Sequence, residues 1–184
     1  MDSRQLLKNE IIDTLVSGYE QGITPIPCSR CNRSVKFQAM IDWAVSSAGI
    51  NRIATGHYAR IRDSNESFNK DDLPGNGINR HKLLRGKDLN KDQSYFLYLL
   101  GQDALSKSTF PIGDIDKKEV RNIAKSSGLI NHAKKDSTGI CFIGEQKFFK
   151  NFLKKYIPSK PGEIQTIDGQ KCGEHEGLMY YTMG

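Results

Sequence analysis

Amphipathic helical segments alternate with short apolar runs through the first 158 residues, and this order limits the chain to few architectures. One predicted helix ends at Gly22, and a second is capped by Asn32 and ends at Gly49. Apolar runs at residues 52–55 and 82–85 predict strands. Because strands alternating with helices are typical of a parallel sheet, the sequence predicts an α/β fold.

The sequence pattern changes after residue 158, from helical segments to a linker and a hairpin. A Lys-Pro-Gly linker at 160–162 precedes a predicted hairpin at 164–173 that turns at Asp168-Gly169. We therefore expect one domain over residues 1–158 and the start of a small second domain over 159–184. Within the first domain, a polar surface loop is expected over 62–79 and an aromatic-rich helix over 93–100.

Composition narrows the cellular setting. The sequence has no apolar run long enough to cross a membrane and no signal-peptide pattern at its start. Four cysteines without a secretory signal indicate a reducing compartment, so the expected location is the cytoplasm. The formal net charge of +6 is compatible with a polyanionic partner, although a modest lysine excess is more often just a solvated surface.

Two cysteines 110 positions apart, Cys31 and Cys141, are the main candidates for chemistry. Each is expected just ahead of a helix and near lysines or arginines, which lower a thiol pKa and favour the thiolate. Gly139 and Gly144 bracket Cys141, whose apolar neighbours also allow a buried structural thiol. If the fold brings the two cysteines together, they form a nucleophilic pair.

Cys28 and Cys31 form a Cys-x-x-Cys pattern with three interpretations. The pattern is a redox pair, half of a zinc site, or one catalytic cysteine with an incidental neighbour. Cys172 and His175 supply a second pair for a Cys3His zinc site, although zinc ligands usually lie closer in sequence. Prolines 25 and 27 are expected to hold this segment extended and stiff.

Two polar segments are candidates for ligand binding. Gly56-His57-Tyr58 follows a predicted strand, and ligands of open α/β sheets bind at that edge, although an ordinary surface histidine is about as frequent there. Lys91-Asp92-Gln93 could contact phosphates and a base edge. From spacing alone, a turn that caps the following helix through Asp92 is the simpler interpretation.

Seven segments together resemble the tRNA-specific 2-thiouridylases, which place sulfur on the wobble uridine of certain tRNAs. They are TPIPCSRCNRSVKF (24–37), IATGHYAR (53–60), LLRG (83–86), NKDQSYFL (90–97), FPIG (110–113), DSTGICFIG (136–144) and GEHEGLMYYT (173–182). The resemblance runs nearly end to end. It implies a partial Rossmann-like, adenine nucleotide alpha hydrolase-like domain with a parallel sheet.

The resemblance also implies a mechanism. ATP, with Mg²⁺, adenylates the C2 oxygen of uridine, and a persulfide sulfur then attacks C2. A sulfur-relay protein would donate the persulfide sulfur. In the family pattern Cys141 carries it, and Cys31 helps to release it and closes a disulfide with Cys141. The pattern also assigns ATP binding to Gly56 and tRNA binding to Ile26, Pro27, Cys28, His57, Lys91, Asp92 and Gln93.

The chain departs from the family pattern in three respects. It begins downstream of the Ser-Gly-Gly-x-Asp-Ser phosphate loop and stops as the central domain begins, so we expect an internal fragment that does not thiolate tRNA alone. Ile26 stands where the family usually has Asn. Cys28 stands where some members have Asp. Two other functions remain open: a zinc-stabilised RNA-binding module, and an adenylating amide-forming enzyme similar to argininosuccinate synthase or GMP synthase.

Overall fold

The computed structural model describes residues 2–63, 81–136, 139–145 and 148–182 of the 184-residue chain. The chain divides into two compact units. The first unit is Ser29–Lys135, and the second unit combines Asp2–Cys28 with Asp136–Gly184. Each unit has a buried apolar cluster of its own. A separate domain that starts at residue 159 stays a prediction.

Seven α-helices and two π-helical segments form most of the regular structure of the described residues. They are α1 (Arg4–Leu7), π1 (Lys8–Ile12), α2 (Asp13–Glu20), α3 (Pro27–Cys31), π2 (Asn32–Ala39), α4 (Met40–Ala48), α5 (Gln102–Ser106), α6 (Lys117–Ser126) and α7 (Phe149–Leu153). Consecutive segments join, so helical runs cover residues 4–20 and 27–48. Single 3₁₀ turns follow at Ser94–Phe96 and Leu178–Tyr180.

The second helical run starts earlier than the sequence predicts. It begins at Pro27, so Cys31 lies inside the helix and Asn32 does not cap it. The predictions of an extended cysteine segment and of a cysteine ahead of the helix are wrong. The physical reason is that proline suits the first helical position, since its φ is already helical and its missing N–H would have no partner there. The helix ends as predicted at Gly49, whose φ is +64°.

The strands form three pairs. In the first unit, β1 (Ile53–Ala54) pairs in parallel with β4 (Ser108–Thr109), which confirms the predicted parallel pairing. Also in this unit, β2 (Ala59–Asp63) and β3 (His81–Arg85) are antiparallel, with Ala59 opposite Arg85. In the second unit, β5 (Gly162–Gln165) and β6 (Lys171–His175) form the predicted hairpin. From residue 64 on, the polar loop expected over 62–79 lies outside the described residues.

The core of the first unit packs the long helix against the strands. Its buried members are Phe37, Ile41, Ala59, Leu97, Ala104 and Phe110. Phe37, Ala59 and Leu97 are fully buried. The helix predicted over residues 93–100 is wrong, because a single 3₁₀ turn stands there. Hydrogen bonds from this segment to Tyr58 hold it in an irregular loop instead.

The core of the second unit joins the first helical run to α7 and the chain end. Leu15, Tyr19, Leu153, Ile157 and Tyr180 are its buried members. The Tyr180 hydroxyl donates a hydrogen bond of 2.7 Å to the Ile157 carbonyl, so its polar atom is satisfied inside the cluster.

An ion cluster ties α7 to the segment after β6. Glu176 accepts from Lys154 and from Lys150, the latter at 2.9 Å. These hydrogen bonds, with that from Lys154 contributing most, lower the pKa of Glu176 to about 2. Because Glu176 is half exposed, solvent screens this cluster.

Membrane-spanning helices were sought in the described part of the chain. None of its helices combines the length and the apolar character that a membrane crossing needs.

Candidate functional site

The carboxyl end of β1 leads into the Gly56-His57-Tyr58 segment, as the sequence predicts. The parallel pairing extends one residue further, since Thr55 N–H donates to the Thr109 carbonyl at 3.0 Å. Gly56 is exposed. A Cβ at this position would meet nothing nearer than Ile112 Cδ1 at 4.0 Å, so open space faces the glycine backbone. A ligand can therefore approach the chain closely here.

His57 is held in one orientation by aromatic rings and a hydroxyl. Its ring centroid lies 5.7 Å from that of Phe37 and 6.0 Å from that of Phe110. Its Nδ1 is 2.9 Å from Thr55 Oγ1. Burial, helped by the positive charge of Lys36, lowers the pKa of His57 to about 4. The imidazole is therefore neutral at pH 7 and offers hydrogen bonds rather than charge.

The Lys91-Asp92-Gln93 loop lies against the same strand end. Gln93 makes two bonds with Tyr58: its N–H donates to the Tyr58 carbonyl at 2.9 Å, and its Oε1 accepts from Tyr58 N–H at 3.0 Å. Because Tyr58 follows His57 directly, this two-bond contact places the loop beside the His57 segment. The structure thus brings the two predicted ligand-binding segments together.

Asp92 organises the loop from inside. Its carboxylate accepts from Gly86 N–H at 2.8 Å, from Ser94 N–H at 3.2 Å and from the Ser94 hydroxyl at 2.9 Å. Its side chain is 11% exposed. Burial alone would raise the pKa of Asp92, but the hydrogen bonds from Gly86, Ser94 and Arg85 outweigh burial and lower it. The prediction that Asp92 is the N-cap of a following helix is wrong, because only a single 3₁₀ turn follows and its N-cap residue is Gln93. Asp92 instead binds Ser94 within the loop.

Lys91 stands exposed at the tip of this loop. Its N–H donates to the Asp88 carbonyl at 3.0 Å. The Asp88 carboxylate accepts from Asn90 N–H at 3.0 Å and from Lys117 N–H at 3.1 Å. The backbone that presents Lys91 is therefore fixed on both sides of the tip.

Cys31 belongs to the first unit and lies half-buried in the second turn of the long helix. The next residue, Asn32, donates from Nδ2 to the Phe96 carbonyl at 3.1 Å. Phe96 N–H in turn donates to the Gln93 carbonyl at 3.0 Å. The helix turn that carries Cys31 is thereby bonded to the loop beside His57.

The residues expected to border the target base belong to the second unit. Ile26 is 59% exposed, while Pro27 and Cys28 are half-buried at the start of α3. Ile26 is a surface apolar side chain that can pack against a flat ring but offers it no polar contact.

Cys141 lies exposed in a tight turn of the second unit. Ile143 N–H and Gly144 N–H both donate to the Ile140 carbonyl, at 3.0 and 2.8 Å. Gly139 and Gly144 adopt φ values of +90° and +87°, which side chains rarely adopt, so the bracketing glycines shape the turn. The turn stands ahead of α7 but outside it, since α7 begins at Phe149.

A cavity of about 300 Å³ adjoins this turn within the second unit. Its lining comprises Tyr19, Gly139, Ile140, Ile143, Gly144, Phe149 and Thr182. The rings of Tyr19 and Phe149 lie 5.0 Å apart. The backbone of the Cys141 turn thus forms one wall of a mainly apolar cavity.

The zinc site considered from the sequence gains no support. Across residues 2–63, 81–136, 139–145 and 148–182, no three His, Cys, Asp or Glu side chains are grouped as metal ligands. In β6, Cys172 is exposed and lies at the register shift opposite Ile164 and Gln165, whereas His175 pairs with Gly162. All four cysteines lie in the described residues, and none forms a disulfide.

Sequence reasoning included Tyr58 in a candidate segment but missed its bonds to Gln93, and it missed Asn32 as part of the site. A sequence signal for Asn32 exists: Ser29, Asn32 and Val35 are three residues apart, the spacing of one helix face, and all three are buried. The predicted helix began only after Asn32, so Ser29 and Asn32 were not included in its buried face. Tyr58 carried no signal, since its role depends on backbone bonds to a loop 35 residues away.

Comparison with known proteins identifies family models and relatives that match the chain. Residues 1–145 match the model of the tRNA methyl transferase HUP domain, and residues 150–184 match that of the tRNA methyl transferase PRC-barrel domain. A protein of Prochlorococcus marinus (strain MIT 9313), named tRNA-specific 2-thiouridylase MnmA, is 50% identical over 184 residues, which are all of this chain and 45% of that protein.

Proteins of the same name from Histophilus somni (strain 2336) and Photorhabdus laumondii are 48% and 47% identical over 176 residues. These alignments cover 96% of this chain and 42% and 44% of the relatives. The chain thus spans less than half the length of the curated relatives it matches. Because the tRNA methyl transferase HUP-domain model matches residues 1–145, the chain belongs to that family, and it is similar along its length to proteins named tRNA-specific 2-thiouridylase.

Proposed function

We propose that this chain contributes the sulfur-handling residues for ATP-dependent 2-thiolation of the wobble uridine of tRNA. The observation that carries the proposal is the 50% identity over all 184 residues to a protein named tRNA-specific 2-thiouridylase. Both cysteine segments lie within that alignment. The exposed position of Cys141 supports the proposal, because a sulfur carrier must be reachable by its donor.

Cys141 is the proposed sulfur carrier. A persulfide donor, in our proposal a sulfur-relay protein, leaves a terminal sulfur on Cys141 Sγ. That sulfur attacks C2 of the activated uridine, so the new C–S bond replaces the C–O bond and AMP leaves. The exposed turn between two glycines at positive φ supports this role, since it leaves the thiol accessible.

Cys31 is the proposed resolving thiol. Its thiolate attacks Sγ of Cys141, the S–S bond to the terminal sulfur breaks, and that sulfur remains on the base as the thiocarbonyl. A Cys31–Cys141 disulfide is the protein product of this step, and an external thiol reduces it before the next cycle. The cytoplasm, our proposed compartment, supplies such thiols.

The residues near Gly56 fit a bound nucleotide. ATP, when bound, supplies the adenylyl group that turns the C2 oxygen into a leaving group. Open space at Gly56 would let the nucleotide lie against the backbone, and the neutral His57 beside it can donate or accept a hydrogen bond. The described residues contain no grouped ligands for Mg²⁺, and no step is assigned to that ion.

A chimera tests the proposal. The aligned 45% of the Prochlorococcus marinus protein is replaced by this chain, and 2-thiouridine formed from tRNA, ATP and a persulfide donor is measured by mass spectrometry. We expect thiolation by the chimera and a loss of at least 100-fold in Cys141→Ser and in Cys31→Ser. Cys172→Ser, which removes another exposed thiol, is the matched control and should stay active.

Two results would contradict the proposal. One is a folded chimera that forms no 2-thiouridine. The other is full 2-thiouridine formation by Cys141→Ser or Cys31→Ser, which would show that sulfur transfer does not need that thiol.

A further inference from the structure

Asn32 is a buried polar residue whose side chain has one strong contact. It is 2% exposed and donates from Nδ2 to the Phe96 carbonyl, 64 positions further along the chain. Among the described residues, nothing donates to its Oδ1 atom. A buried amide with an unsatisfied oxygen is costly, so the single bond it makes needs a reason.

The location of that bond supplies the reason. Asn32 follows Cys31 directly, in the helix of the first unit, and π2 begins at Asn32. The acceptor, Phe96, ends the 3₁₀ turn that begins at Ser94, and the preceding residue, Gln93, makes two hydrogen bonds with Tyr58. One short series of contacts thus leads from the thiol's helix turn to the strand end that carries Gly56 and His57.

We propose that Asn32 is a positioning residue for Cys31: its amide fixes the helix turn that carries the thiol to the Gln93–Phe96 loop. Apolar packing alone leaves the rotation and slide of a helix adjustable, whereas one directed hydrogen bond to a fixed carbonyl sets both. The functional meaning of this inference rests on the proposed role of Cys31. The structural part of the inference, that Asn32 holds the helix turn against the loop, does not depend on that role.

The test measures the alkylation rate of Cys31 by iodoacetamide in the 184-residue chain, with each cysteine followed by peptide mass spectrometry. We expect Asn32→Ala to alkylate at Cys31 at least fivefold faster than the unmodified sequence, because the turn opens more often when it loses Phe96. Ser29→Ala is the matched control, since Ser29 is equally buried one turn away and its hydroxyl has no partner among the described residues. Its rate should not change.

A second variant separates positioning from general support. Ile41→Ala removes a buried side chain of the same helical run and keeps the Asn32 amide, so it destabilises the unit without deleting the donor to Phe96. At conditions chosen to give equal unfolding free energies, Asn32→Ala should still alkylate faster at Cys31 than Ile41→Ala. Equal rates would overturn the proposal, because Asn32 would then act only through stability.

Asn32→Asp adds a pH-dependent rescue. An ionised carboxylate cannot donate to the Phe96 carbonyl, whereas a protonated one can, and burial favours protonation. At each pH, the alkylation rate of Cys31 in Asn32→Asp is divided by that in the unmodified sequence. This ratio should decrease as the pH is lowered from 8.5 to 5.5. A constant ratio would overturn the proposal, and so would failure of both Asn32 variants to fold. If these rates behave as expected but the chimera forms no 2-thiouridine, the proposed function fails and the positioning role stands.

Discussion

Substitution of Gly56 tests nucleotide binding without disturbing the fold. Gly56→Ala adds a methyl group whose nearest neighbour is 4.0 Å away, so the unfolding free energy should change by less than about 0.5 kcal/mol. In the chimera, we expect the KM for ATP to rise at least tenfold, because the methyl group would occupy the space proposed for the nucleotide. Steady-state kinetics at varied ATP give the measurement.

Gly173→Ala is the control for that experiment. A Cβ at Gly173 also meets its nearest neighbour at 4.0 Å, but in the β5–β6 hairpin, where no nucleotide is proposed. It should leave the KM for ATP unchanged. An unchanged KM in Gly56→Ala would remove Gly56 from the nucleotide site.

His57 gives the fold a predictable response to acid. Its pKa is lowered from 6.5 to about 4 in the folded chain, chiefly by burial, so the folded state binds the proton more weakly than the unfolded state. Its contribution to stability is full above pH 6.5, decreases as the pH falls, and has gone by about pH 4. After allowance for the partly exposed ring, the decrease should be of the order of 2 kcal/mol.

Urea unfolding at pH 7.0 and 4.5 measures this response. His57→Gln removes the titrating group and should lose less stability between these two pH values than the unmodified sequence. His132→Gln, which alters a histidine bonded to Leu129 three residues earlier, should behave like the unmodified sequence. Equal losses in all three proteins would show that His57 does not titrate as described.

At the scale of elements, Gln93 joins the functional loop to the strand end. Gln93→Ala removes an acceptor and leaves the partly buried Tyr58 N–H without it, which should cost about 1–3 kcal/mol. Hydrogen exchange at the Tyr58 amide, together with urea unfolding, measures the effect. The exchange should accelerate in proportion to the lost stability.

Gln102 offers the matched comparison. Its side chain makes two bonds with the His81 backbone, at 2.7 and 3.0 Å, but at an exposed position. Gln102→Ala should therefore cost less than about 1 kcal/mol, because water replaces the lost partners. If the two variants lost equal stability, burial would not explain the role of Gln93.

The elements that the sequence predicted are those with local signals. Gly49 ends a helix because it adopts a left-handed conformation, and Asp168-Gly169 marks a hairpin by its turn residues, so both could be predicted. The early helix start at Pro27 and the irregular loop after Gln93 could not. Pro27 is compatible both with an extended segment and with the first position of a helix. Gln93 is held by a hydrogen bond to Tyr58, which no local sequence pattern predicts.

The candidate site shows the same division. The cysteines, Gly56-His57 and Lys91–Gln93 could be picked out from residue type and family resemblance. The low pKa of His57 comes chiefly from burial, and its ring packs against Phe37, 20 positions away. The bond from Gly86 to the Asp92 carboxylate depends on how the intervening loop folds, so both features required the structure.

At the scale of the whole molecule, the net charge of +6 alone does not locate a tRNA surface. If binding followed net charge, removal of any one lysine would weaken it equally. If instead Lys91 contacts a phosphate, its removal should lower the salt dependence of binding by one contact, or about 0.7–0.9 in the slope of log K against log salt. The backbone is fixed before the tip by bonds to Asp88 and after it by the bond of Gln93 to Tyr58, which supports a contact by Lys91.

Lys91→Ala and Lys107→Ala distinguish these alternatives, because each changes the net charge from +6 to +5. Lys107 is the matched control, since it lies after α5 and no tRNA contact is proposed for it. With tRNA binding to this chain measured by fluorescence anisotropy between 50 and 300 mM KCl, we expect the shallower slope in Lys91→Ala alone. Equal slopes in the two variants would remove Lys91 from the interface and leave its charge as a general contribution to the molecule's field.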